Sequence, residues 1–237
     1  DTLHETAKMG GTAKGGVRRL TLSQEDKQVR DWLRQQAAAM GCTLTIDSVG
    51  NMFVHRAGRD VTRAPIAFGS HLDTQPTGGK YDGILGVLAG LEVLRTLHAM
   101  NYQTEHPLLL INWTDEEGSR FSPAMLGSGV YAGIFDQHYA DTRTDPDGVS
   151  FASAIEAIGY RGKDKAPQAL SAYFELHIEQ GPILEAEERD IGVVTLVQAI
   201  NWLDVTFSGA DSHAGTTPMN RRKDALAAAA ELITADQ

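Results

Sequence analysis

Residues 107–114 carry a near-continuous apolar run, Leu108-Leu109-Leu110-Ile111-Asn112-Trp113, without the polar alternation of a half-exposed strand. Such a run predicts a central strand buried on both faces. The short apolar stretch 64–69 reads the same way. Helix and strand signals alternate around these two segments. Ser23 with Asp26 resembles a capping box, opening a helix to about Met40 in which Val29, Trp32, Leu33 and Ala37 recur at helical spacing. Residues 42–46 and 51–55 read as two strands joined by a hairpin at Val49-Gly50. Residues 83–100 read as a helix with Ile84, Val87, Leu88, Leu91, Leu94 and Leu97 inward, and 172–178 and 191–200 as further strands. The alternation predicts an α/β fold, a mixed sheet covered by helices on both faces. From about Asn201 the texture changes to a half-solvated strand, a glycine- and histidine-bearing loop and an alanine-rich helix over 222–233. We therefore expect a first domain over 1–199 and the beginning of an α+β second domain over 200–237.

The 237 residues suffice to bury a sizeable core, and the 42% hydrophobic and 22% charged fractions are those of an ordinary folded protein. Thirty-one acidic against 21 basic residues give a net charge of −10, which repels a phosphate backbone and anionic lipid alike. Nucleic acid and membrane are therefore excluded as expected partners. Cys42 has no second cysteine with which to pair, and no basic-then-apolar leader or long apolar run is evident, so a cytoplasmic location is expected. The chain opens at Asp1 without a methionine and its last segment reads as the middle of a helix, which fits a trimmed or partial chain.

The chemistry begins at Gly69-Ser70-His71-Leu72-Asp73-Thr74-Gln75-Pro76-Thr77-Gly78-Gly79-Lys80-Tyr81-Asp82-Gly83, where a histidine and two aspartates surround a glycine-rich turn after an apolar strand. Side chains two apart on an extended segment share a face, so one His71 nitrogen can hold a metal while Asp73 takes the proton on the other. Asp82 directly precedes a helix; it reads either as a carboxylate bridging two cations or as a helix N-cap. Asp115-Glu116-Glu117-Gly118 follows the central strand, and three adjacent carboxylates need either cations or good solvation. In the segment 172–181, alternation places Glu175, His177 and Glu179 opposite Ala172, Phe174, Leu176 and Ile178; the polar side of a surface strand would look the same. The convergence of three strands, each ending in imidazole or carboxylate donors, favours a metal site suited to zinc or manganese.

Gly69 to Gly83, Asn112-Trp113-Thr114-Asp115-Glu116-Glu117-Gly118-Ser119-Arg120-Phe121, Met125-Leu126-Gly127-Ser128-Gly129, Glu175 to Gly181 and His213-Ala214-Gly215-Thr216-Thr217-Pro218-Met219 together resemble the amidase branch of the M20 metallopeptidase clan. That branch comprises N-carbamoyl-L-amino-acid amidohydrolases, β-ureidopropionases and allantoate amidohydrolases. The resemblance implies a zinc-exopeptidase-like catalytic domain followed by a lid and dimerisation domain, and hence a homodimer. It implies that His71, Asp82 and His177 hold one metal, that Asp82 bridges to a second also bound by Glu117, and that Glu116 is the general base. Zinc is the expected metal, with manganese, cobalt or nickel as alternatives. His213 would stabilise the oxyanion, and Gln180, Gly181 and Arg222 would contact substrate. Apart from the resemblance, His213 reads as a loop histidine capping a turn and Arg222 as a solvated charge. The family pattern adds a later metal-binding histidine and a substrate-binding arginine beyond Gln237, so this chain is expected to complete one metal site and not the second.

The implied reaction is hydrolysis of the carbamoyl C–N bond of an N-carbamoyl amino acid, yielding the amino acid, carbon dioxide and ammonia. Two cations about 3.5–4 Å apart would acidify a bridging water, giving hydroxide near neutral pH. Glu116 would take its proton and deliver it to the leaving nitrogen. Alternatives within the clan are an allantoate amidohydrolase and a peptidase or N-acyl-amino-acid deacylase. Outside enzymes, the alternative is an inactive metal-binding fragment, which would bind one tight equivalent of metal and turn nothing over.

Overall fold

The computed structural model describes residues 2–167, 169–198 and 203–235. The chain forms two compact units, Asp1–Pro182 and Ile183–Gln237. The domain boundary expected between residues 199 and 200 falls outside the described residues.

The first unit is built on a five-stranded mixed sheet in the order β1-β2-β4-β3-β5. Its elements are α1 (Thr2–Thr6), α2 (Gln24–Ala39), β1 (Thr43–Ile46), β2 (Met52–Arg56), β3 (Ile66–His71), α3 (Ile84–Ala99), β4 (Leu108–Trp113), α4 (Leu126–Tyr131), α5 (Gln137–Asp141), α6 (Phe151–Ile158) and β5 (Ala172–Phe174). β1 and β2 form the expected hairpin, and the Asp47 carboxylate accepts the Val49 and Asn51 amides at its turn. β2 runs antiparallel to β4, whereas β3 lies parallel to both β4 and β5. β4 is buried along its whole length, as its composition requires. Leu108 and Leu110 pack with Val29, Leu33, Val87, Leu91 and Ile155 from the helices on one face. Leu109, Ile111 and Trp113 pack with Phe53 and Ala67 on the other, against Tyr131 of α4 and the segment around Ala166 and Leu170.

At the start of α2, Ser23 Oγ accepts the Asp26 amide at 3.2 Å, but the reciprocal bond of a capping box goes elsewhere: Asp26 Oδ2 accepts the Leu22 amide at 2.7 Å. Asp26 is drawn inward because it also pairs with Arg30.

The strand expected over 172–178 ends at Phe174. Past that point the Glu175 carboxylate takes the Ser70 hydroxyl, and the Leu176 carbonyl closes on α3, where a Cβ at Gly86 would overlap it. The chain therefore leaves the ladder before His177.

The second unit contains α7 (Ile183–Ala186), a 3-10 turn at Met219–Arg221 and α8 (Ala225–Ala235). No strand forms over 191–198 or 203–209 among the described residues; Ala199 to Trp202 lie outside them. Alternation supplies only one side of a strand, and Ile191, Val193, Val194, Leu196 and Leu203 are exposed without a neighbouring strand to pair with. The alanine-rich helix begins three residues later than expected because Asp224 caps it, accepting the Leu226 and Ala227 amides at 3.0 Å. Among the described residues no helix is long and apolar enough to cross a membrane.

Candidate metal centre

Because β4, β3 and β5 are parallel, their carboxyl ends share one edge, and the chemistry-bearing segments leave from that edge. His71 is the last residue of β3, Asp82 precedes α3, Glu116 and Glu117 follow β4, and His177 follows β5. One donor atom from each of His71, Asp82 and His177 lies within 4.8 Å of the others. The two imidazoles stack with centroids 5.8 Å apart and planes 28° from parallel. His177 Nε2 stands 3.5 Å from Asp82 Oδ1, and His71 Nε2 stands 3.4 Å from Glu116 Oε2.

Asp82 does not cap α3: the N-cap position is Gly83 and no side chain hydrogen-bonds the helix start. Its Oδ1 instead accepts the Gln180 amide at 2.9 Å. Gly83 is required for another reason, since a Cβ there would overlap the His71 ring at Cδ2 and Nε2. In the full-length protein Gly83→Ala is expected to weaken divalent-cation binding by at least 10–100-fold, read by equilibrium dialysis with zinc as the probe. Unchanged affinity would show that His71 does not need its present place.

Asp73 departs from its expected role. His71 Nδ1 hydrogen-bonds the Asp73 backbone carbonyl at 2.9 Å, while the nearer carboxylate oxygen is 3.6 Å away. The side chain instead accepts the Glu116 and Glu117 amides, at 3.4 and 3.3 Å. Asp73 thus ties the turn after β4 to the turn after β3. Pairing through the loop then continues, as the Glu116, Asp115 and Thr114 carbonyls accept the Met125, Leu126 and Gly127 amides.

Of the three acidic residues, Asp115 is turned into the protein. It is fully buried in left-handed backbone (φ 56°), and burial first, with the Asp73 charge second, holds its carboxyl well above the usual range. Glu116 is raised by burial, which His71 opposes and Asp73 and Glu175 reinforce. Burial and the adjoining Asp82 carboxyl push Glu117 up to about 7. For His71, burial lowers the imidazole, but Asp73 and Glu116 outweigh it and push it up to about 10.

These side chains fit divalent cations. Two carboxyls in contact, one of them retaining a proton near neutrality, are what an acidic pair does when no cation lies between them. Glu117 Oε1 is buried and receives no hydrogen bond, an arrangement that a metal–oxygen contact would satisfy.

Gln180 is brought to the cluster through Asp82, and Gly181 lies exposed beside Glu179. His213 and Arg222 belong to the second unit. There His213 Nδ1 accepts the Gly215 and Thr216 amides, and Arg222 donates to the Thr217 and Ala214 carbonyls, so both brace their own loop. Glu175, one of the three polar residues that alternation sets on one side of 172–181, takes a supporting place, and Gln75 is a site residue that no motif assigns. Glu175 accepts from Ser70 and Tyr173, whose hydroxyl in turn accepts the Trp113 indole N–H. The Gln75 amide donates to Glu117 at 2.6 Å. No spacing reveals the Ser70–Glu175 or the Gln75–Glu117 contact, because each joins segments far apart in the chain.

The chain is similar to an N-carbamoyl-L-amino-acid amidohydrolase of Rhizobium meliloti, 47% identical over 234 residues that cover 98% of this chain and 56% of that protein. It is also similar to an allantoate amidohydrolase of Bacillus subtilis, 38% identical over 237 residues covering 98% and 57%. Among solved structures, a hydantoinase/carbamoylase family amidase from Burkholderia ambifaria superposes with a TM-score of 0.84 at 50% identity, over 98% of this chain and 57% of that one. The chain therefore spans a little over half the length of these relatives. The sequence of residues 67–237 matches that of peptidase family M20/M25/M40, to which the chain belongs.

Proposed function

We propose that the full-length protein hydrolyses the carbamoyl C–N bond of N-carbamoyl amino acids, releasing amino acid, carbon dioxide and ammonia. The observation that carries this reading is the meeting of His71, Asp82 and His177 within 4.8 Å, with the Glu116 carboxylate against the His71 ring. Its support beyond geometry is the likeness to N-carbamoyl-L-amino-acid amidohydrolases.

His71, Asp82 and His177 would hold one divalent cation, and Asp82 with Glu117 would contribute to a second; when bound, such cations lower the pKa of water toward neutrality and polarise a carbonyl. Zinc is the proposed metal. Glu116 is held beside the donors, with Oε2 3.4 Å from His71 Nε2, and its carboxylate would accept a proton from attacking water and return it to the leaving nitrogen. Asp73 aims Glu116 through the backbone amide it accepts. His213 is assigned to the oxyanion, and Gln180, Gly181 and Arg222 to substrate, on resemblance to the family. A cytoplasmic homodimer formed through the second unit completes the reading.

Allantoate is the second candidate substrate, because it presents the same ureido group and one relative is an allantoate amidohydrolase. Ammonia release by the zinc-loaded full-length protein should be measured on N-carbamoyl-L-amino acids and allantoate, and free amino acid release on N-acyl amino acids. Release from the carbamoyl substrates is expected, and treatment with a chelator should abolish it. Turnover confined to acyl substrates would replace the carbamoylase assignment with a deacylase.

A further inference from the structure

Gln75 stands in the turn after β3, and its side chain is exposed. An exposed glutamine ordinarily loses too much rotamer freedom to hold one fixed contact. Here the backbone beneath it is clamped. The Gln75 carbonyl accepts both the Thr74 hydroxyl at 2.9 Å and the Gly78 amide at 3.2 Å. Thr74 and Arg19 exchange hydrogen bonds, as do Gly78 and Val17, so the whole turn is fastened to the 17–19 segment. Pro76 follows directly and fixes its own φ. From this platform Gln75 Nε2 reaches Glu117 Oε2 at 2.6 Å.

The two oxygens of Glu117 are thereby made unequal. Oε2 is occupied by a neutral amide donor, while Oε1 is buried without one. The Glu117 amide is meanwhile held by Asp73, so backbone and side chain are fixed from opposite ends. A donor that supplies charge would neutralise the carboxylate and weaken it as a ligand. An amide orients it without doing so.

We propose that Gln75 is a positioning residue that makes Glu117 a one-oxygen donor to the second cation, leaving a coordination place there for water or substrate. This rests on the reading that Glu117 binds metal. Without the amide, nothing holds the Glu117 carboxylate with one oxygen toward the cation, so the ligand loses its orientation, and catalytic metal sites depend on keeping one position open.

The test uses the metal-free full-length protein, titrated calorimetrically with zinc and, separately, with cobalt followed by its visible spectrum. Gln75→Met preserves length and removes the donor. Gln75→Asn keeps an amide that is one methylene too short to reach Glu117. Both are expected to bind the first equivalent as the wild type does and the second about 10–100-fold more weakly. The cobalt spectrum of the second equivalent is expected to change with coordination, and the melting temperature of the metal-free protein to stay the same. With substrate, kcat should fall more than KM changes. Two wild-type-like equivalents and an unaltered cobalt spectrum in both variants would overturn the role of Gln75 alone. A wild-type protein that binds only one equivalent would overturn the reading of Glu117 as well.

Discussion

On the proposed function, Glu116→Gln in the full-length protein is expected to lower kcat by roughly 10²–10⁴-fold while leaving metal content intact. The range corresponds to about 3–5 kcal/mol of transition-state stabilisation. The substitution is isosteric and keeps the backbone amide that Asp73 accepts, so the turn after β4 should hold its shape. What is lost is the ability of Oε2 to take up and release a proton. Glu116 is suited to that task, since its side chain is 32% exposed and reachable by water, while burial raises its proton affinity toward the working pH. Ammonia release at saturating substrate, with zinc counted by atomic emission, checks the prediction. A variant within twofold of wild type would remove Glu116 from the chemistry.

Arg30→Met is expected to cost about 3–5 kcal/mol of folding stability, measured by urea denaturation. Arg30 and Asp26 are both fully buried and joined at 2.8 Å. The same guanidinium donates to the Gly50 carbonyl at 2.8 Å and to Thr114 Oγ1 at 3.2 Å, so it ties α2 to the β1–β2 hairpin and to the residue after β4. Methionine fills much of the volume but leaves the Asp26 carboxylate without its countercharge. A pH dependence accompanies this loss. Burial raises Asp26 more than Arg30 lowers it, so its contribution to stability is present below the unfolded pKa and declines as pH rises through the folded one. Removing Arg30 widens the gap between the two values. The penalty should therefore be larger at pH 7 than at pH 4. A loss under 1 kcal/mol, or one that is the same at both pH values, would show that the pair is solvated in solution.

Local pattern made much of the first unit legible. α2 and α3 follow from apolar residues at helical spacing, and the inward positions read for them are buried, apart from the half-buried Leu97. β4 followed from an unbroken apolar run, and the hairpin from Val49-Gly50 between two short strands. Each of these signals lies within one segment, so no distant partner is needed to interpret it. The extent of β5 and the strands expected over 191–208 are different. A strand exists only where another backbone pairs with it, and alternation is silent about that neighbour.

The same division runs through the metal centre. From the order of residues alone it follows that imidazoles and carboxylates stand at the ends of apolar strands. Whether Asp82 caps a helix or faces a cation is not decided there, because both roles ask for an aspartate just before a helix. The fold removes the capping role, since no side chain caps α3, and the parallel order β4-β3-β5 brings separate chain ends to one edge and His71, Asp82 and His177 within 4.8 Å. The inward turn of Asp115, the backbone contact of His71 and the reach of Gln75 to Glu117 are likewise tertiary outcomes. Spacing along a chain prescribes which face a side chain takes. Only packing prescribes what stands opposite it, since distances between segments are set by how the sheet and helices close on one another.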